Sequence, residues 1–303
     1  MSFNSSIDLL LRYQKTRIPW SIFASLALFL CIASATSRWP TEVTEWCFNW
    51  FLAMCMVVQF RLWDDLADVE NDRVHHPSRV LCQTQSHQVF WGLVGTLCIV
   101  NTVLIATFKS YTALAAFFVL NVAYVLWYSM PRKMSSDHVV VHAMVLLKYP
   151  VFVFLLSGSP AKGHLCLSLC YGMLVTFLCF CAYELQHDER LRVNRYAVTL
   201  LAFAFSFLCF VAILMLIELR RNASIFTLGQ AGLLLVGSII LAFLFRQFQG
   251  RVAVGWWQFG VFFVGFAWLL NFALGNSSLF DPPHRDSSAK LHVPKNPLTG
   301  TKV

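Results

Sequence analysis

The chain has 303 residues, of which 58% are hydrophobic and only 13% charged, with 28 Phe, 10 Trp and a formal net charge of +8. That apolarity excludes an ordinary soluble domain and puts the chain in a bilayer. The excess cations then read as membrane-surface charge, and they give no support for nucleic-acid binding.

Apolar stretches of about 20 residues span roughly 30 Å of hydrocarbon. Nine occur here, at approximately 18–37, 46–63, 89–108, 111–130, 138–157, 164–183, 196–217, 225–245 and 254–274. They predict an all-α, polytopic membrane domain over residues 1–275 with short polar connections. Residues 276–303, with Asp281-Pro-Pro-His and scattered Lys, Ser and Pro, read as a disordered tail. No small-residue cleavage site follows the first apolar run, so a removed signal peptide is not expected. Cytoplasmic loops carry the excess of Lys and Arg. An inside N-terminus puts thirteen of the 23 cations on the cytoplasmic side and five in the opposite loops. The four in the tail fall outside and dissent from this assignment.

In chain order, the first polar feature closes the second span: Arg61-Leu-Trp-Asp-Asp-Leu-Ala-Asp-Val-Glu-Asn-Asp-Arg-Val-His-His-Pro-Ser-Arg79. Offsets of three, four and seven put Asp65, Asp68 and Asp72 on one helical face, and Asp64 joins through its offset of four from Asp68. Stacked like charges repel, and a hard divalent cation such as Mg²⁺ relieves them through oxygen ligands while keeping water and substrate phosphate as further ligands. His75 and His76 beside this motif read as solvated loop residues. The fifth span holds Lys148, in Val145-Leu-Leu-Lys-Tyr-Pro150, and a cation at that depth needs a carboxylate, a phosphate or water. The sixth ends in Cys181-Ala-Tyr-Glu-Leu-Gln-His-Asp-Glu-Arg190, where Glu184 and Asp188 share a face and His187 points elsewhere. By the orientation argument both acidic helix ends lie at the cytoplasmic level and can face one cavity. The ten cysteines lie almost entirely in or beside apolar spans and have no zinc-site spacing, so they read as small hydrophobes. Two acidic clusters, a buried lysine and peripheral arginines suit a Mg²⁺-bridged pyrophosphate.

These residues resemble the UbiA superfamily of intramembrane prenyltransferases. Its first signature, Asn-Asp-x-x-Asp-x-x-x-Asp followed by Pro-x-Arg, is similar in spacing to Asp64-Asp65-x-x-Asp68-x-x-x-Asp72 with Pro77-Ser-Arg79. The second, near Tyr-Asp-x-x-x-Asp, looks like Tyr183-Glu184-x-x-x-Asp188. Tyr128-Ser-Met-Pro131-Arg132, Lys148 and Arg17-Ile-Pro-Trp20 have counterparts as well. The resemblance covers roughly residues 10–275, and nine spans is also the family's count.

The resemblance implies a helical bundle with a central cavity, a Mg²⁺ cofactor, and an isoprenyl diphosphate that transfers its prenyl group to a lipophilic, typically aromatic acceptor. Asp64, Asp65, Asp68, Asp72, Glu184 and Asp188 would hold the metal, with Asp68, Asp188 and Lys148 central to catalysis. Arg79, Lys148 and Arg132 would grip phosphate, and Tyr128 would line the reacting end. Departures from the family pattern are Asp64 for Asn, Glu184 for Asp, and Val80-Leu-Cys-Gln-Thr-Gln85 after Arg79. They leave the acceptor open, and the prenyl chain length depends on the depth of the cavity. Cyclisation or elimination of the diphosphate itself is a second outcome of the same site. A transporter and a non-catalytic membrane scaffold are the readings from other classes; the transporter is disfavoured because the acids cluster at one level.

Overall fold

The structure is a computed structural model that describes residues 3–129, 145–157, 169–170, 172–177, 179–181, 265 and 269. The expected spans over 196–217, 225–245 and most of 254–274 lie outside the described residues, as do Arg132, Glu184, His187, Asp188 and the tail. The described residues are helical and contain no strand. Three helices are long and apolar enough to cross a membrane, or four if one bent pair counts as a single span.

That bent pair opens the chain. The helix α1, Phe3–Arg17, is an element the sequence reading did not foresee, having taken these residues as a cytoplasmic segment. It stops before Pro19, because a residue preceding proline is forced out of the helical region. The helix α2, Trp20–Ala35, starts from Pro19 with the Phe23 amide donating to the Pro19 carbonyl at 3.1 Å. The two axes differ by 66°. This elbow brings Tyr13 and Arg17 back over the end of the next long helix.

That helix is α3, Val43–Ala67, whose 25 residues rise about 37 Å. It packs against α2 on one side and against α6, Gln88–Phe108, on the other. At Asp68 the backbone reaches φ −93°, ψ 0°, and the helical bonding then resumes in α4, Val69–His75. The Asp68 amide donates to the Asp64 carbonyl at 3.0 Å and the Asp72 amide to the Asp68 carbonyl at 2.8 Å. The acidic track therefore runs through the break with little loss of register. Pro77 lies just beyond His76, and a short helix α5, Val80–Gln83, packs against α1 and α4.

A two-residue connection, Lys109-Ser110, joins α6 to α7, Tyr111–Ser129, and Ser110 Oγ accepts the Ala113 amide at 3.2 Å. The helix α8, Lys148–Ser157, packs against α2, α3 and α7. Lys148, expected mid-span, is the first residue of α8, and a turn at Leu147 separates it from helical Val145 and Leu146. The core between α3, α7 and α8 is aromatic. Fully buried Phe60 has Tyr124 at 5.1 Å and Phe152 at 5.2 Å, and Trp63 packs beside it.

Bilayer-depth polar groups must bond one another. Gln59 of α3 does this for three helices, donating to Asn121 of α7 at 2.9 Å and accepting from Asn101 of α6 at 2.8 Å. At the opposite end of α3 from the acidic motif, Lys109 donates to Asn49 Oδ1 and to the Leu156 carbonyl, both at 2.7 Å. A cation is well placed there, because the last carbonyls of a helix lack internal partners and carry partial negative charge.

Candidate functional site

The site grows from the end of α3. Leu62, Trp63 and Leu66 are buried in the core, so the neighbouring carboxylates are fixed in direction by the packing of the same turn. Asp64 and Asp65 are adjacent, and helical geometry sends adjacent side chains about 100° apart. Each finds its own set of donors.

Asp64 faces the bundle interior. Its carboxylate accepts from the Lys148 ammonium of α8 and from the Tyr128 hydroxyl of α7, one partner on each oxygen. The Lys148 side chain is 3% exposed and that of Asp64 14%. Lys148 also lies 5.4 Å from the Tyr149 ring and 5.8 Å from the Tyr124 ring, at cation–π distance. Residues 64, 128 and 148 are far apart in sequence, and three helices bring them to one point. Asp68 lies on the same track, and the Tyr128 hydroxyl feels the field of both carboxylates.

Asp65 faces the other way, toward α1. Arg17 donates to both of its oxygens, Nε at 2.9 Å and Nη2 at 2.5 Å, while Tyr13 adds a hydroxyl at 2.8 Å. Arg61, one turn earlier on α3, stands at 3.3 Å. A two-pronged guanidinium bond of this kind is both strong and geometrically specific. Both Asp65 oxygens are thus bonded on the α1 side, while Lys148 and Tyr128 take Asp64. Asp72, also buried, pairs with Arg79, and a small cleft lined by Tyr13, Arg17, Asp65, Asp72 and Arg79 opens between α1, α3, α4 and α5.

The repulsion expected within the acidic motif is thus relieved in part by the chain itself, through Lys148, Arg17 with Arg61, and Arg79. Among the described residues no three His, Cys, Asp or Glu side chains stand close enough to enclose a metal ion. The donor set still fits Mg²⁺, which is usually held by one or two carboxylates and completes its shell with waters and phosphate oxygens. All four aspartates carry such hard oxygens, with Asp65 and Asp72 lining the small cleft and Asp64 meeting Lys148 and Tyr128.

Of the sequence-predicted residues, the structure brings Asp64, Tyr128 and Lys148 into contact and joins Asp72 to Arg79. Arg132, Glu184 and Asp188 lie outside the described residues. Tyr13, Arg17 and Arg61 were not singled out as site residues. Arg61 was legible, since it stands four residues before Asp65 on a helix. Tyr13 and Arg17 depend on the 66° elbow, for which Pro19 was the signal.

No family model matches the chain, and no curated protein sequence matches it. In three dimensions the chain is similar to a digeranylgeranylglyceryl phosphate synthase, described from a study of that enzyme in membranes. The likeness has a TM-score of 0.60 and covers 89% of this chain and 99% of the synthase, at 14% sequence identity. This is a likeness of fold, and it extends over almost the whole of both molecules.

Proposed function

We propose that this chain is an intramembrane transferase that moves an isoprenyl group from an isoprenyl diphosphate to a lipophilic acceptor, with Mg²⁺ as cofactor. The observation that carries this reading is the meeting of Asp64, Tyr128 and Lys148, from three helices, at the end of the acidic motif. The fold likeness to an enzyme named for a polyisoprenyl product supports it.

In this reading Asp64, Asp68 and Asp72, with Glu184 and Asp188 from the second motif, hold the cofactor. Bound Mg²⁺ supplies neutralisation of the charge that builds on the departing pyrophosphate. Lys148, Arg79 and Arg132 orient the phosphate oxygens, and Asp65 holds α1 against the site. Trp63, Tyr124 and Tyr128 form a contiguous aromatic wall, with neighbouring centroids 5.5 to 6.4 Å apart. Such a wall excludes water, which would otherwise capture the allylic cation, and its ring faces favour positive charge.

The test is turnover. Purified protein in nanodiscs is incubated with Mg²⁺ and labelled isoprenyl diphosphates of several lengths, with and without lipophilic acceptors, and the products are separated. Metal-dependent release of pyrophosphate that disappears in Asp68→Ala and in Asp188→Ala is expected. A hydrocarbon product formed without acceptor would redirect the reading to cyclisation or elimination. Absence of any metal-dependent loss of diphosphate would sink it.

A further inference from the structure

We infer that Asp64 and Lys148 form an internal placeholder for the ligands, so that metal and diphosphate enter by exchanging partners with this pair. The inference rests on the functional reading above and adds to it an order of events. Lys148 has its Nζ on Asp64 and is shielded by the Tyr124 and Tyr149 rings, while Asp64 has one oxygen on Lys148 and the other on Tyr128. Both side chains are largely withdrawn from solvent. Breaking a buried ion pair by removing one partner is costly, because the other charge is left uncompensated.

If Asp64 were given over to a divalent cation alone, the Lys148 ammonium would lose its counter-charge. Pyrophosphate arriving alone takes Lys148 and leaves Asp64 facing a polyanion, with Asp68 on the same track. With both ligands present, Asp64 would pass from the ammonium to the metal, and the ammonium would pass from Asp64 to a phosphate oxygen. No charge is left unpaired, and no bond other than ionic and hydrogen bonds changes. The resting site is thereby closed to either ligand alone and open to both.

Two variants separate the halves of the exchange, and each is expected to gain binding, which misfolding cannot produce. Lys148→Met frees Asp64, and the affinity for Mn²⁺ alone, counted by electron paramagnetic resonance, should rise about tenfold or more. Asp64→Asn frees Lys148 from a full counter-charge, and the affinity for inorganic pyrophosphate alone, measured by calorimetry with a chelator present, should rise by a similar factor. Wild-type protein should take up either ligand weakly and Mg²⁺ with isoprenyl diphosphate together tightly. Tight binding of the two together, with no gain in either variant, overturns the exchange and leaves the functional reading standing. Failure of wild type to bind the two together overturns both.

Discussion

Asp65 and Asp68 are three residues apart in one motif, and different tasks are proposed for them. Asp65 is bonded by Arg17, Tyr13 and Arg61, so its carboxylate anchors α1, whereas Asp68 lies on the track proposed to hold the metal. Asp65→Asn should lower stability by about 3 kcal/mol, since it leaves two guanidinium groups without their buried counter-charge. Asp68→Asn should remove turnover. Turnover retained in Asp68→Asn, or an Asp65→Asn variant as stable as wild type, would contradict this division. Lys109 offers a pH test at the other end of α3. Burial pushes its ammonium down to about 8. The folded-state value is thus below the unfolded one, so between pH 8 and about 10 the unfolded chain binds more protons and stability rises with pH. Wild type should gain stability over Lys109→Met on going from pH 7.5 to 9.5, as read from paired melting curves. A constant difference would show that Lys109 does not titrate there.

The elements differ in how clearly the sequence announced them. The helices α2, α3, α6 and α7 follow apolar runs that no other structure in lipid could satisfy, and their limits fall within a few residues of those runs. The helix α1 was missed because its charges, Arg12, Lys15 and Arg17, read as a loop, and the span test has no place for an amphipathic helix bent 66° from its neighbour. The acidic motif was legible as spacing. The division of its carboxylates was not, because it depends on which partner each neighbouring helix delivers. Close packing sets a further limit at Gly172. A Cβ built there would lie 2.3 Å from the Ala33 carbonyl oxygen and 2.6 Å from Thr36 Oγ1. The carbonyl belongs to the α2 backbone and cannot turn aside, so Gly172→Ala should cost about 1–3 kcal/mol by overpacking. Thermal unfolding in detergent checks this, and a variant as stable as wild type would contradict the contact.

Across the whole molecule, α3 is the shared wall. Its middle is tied to α6 and α7 by Gln59, one end to α8 by the Lys109 clamp at Asn49 and Leu156, and the other to α1, α7 and α8 by the acidic motif. Charge sits at the ends of this helix and uncharged amides in its centre, which suits a bundle whose waist is in hydrocarbon. Among the described residues, cations from other parts of the chain meet Asp64, Asp65 and Asp72, which offsets the repulsion at this helix end. In the proposed reading the diphosphate of a substrate would lie at the Asp64–Lys148 end, with its isoprenyl chain starting beside Tyr128. The most direct measurement is a structure of the protein in lipid with Mg²⁺ and an unreactive isoprenyl thiodiphosphate. Diphosphate and metal are expected beside Asp64, Asp68 and Lys148, with the isoprenyl chain starting at Tyr128. Ligand bound elsewhere, with Lys148 still on Asp64, would contradict it.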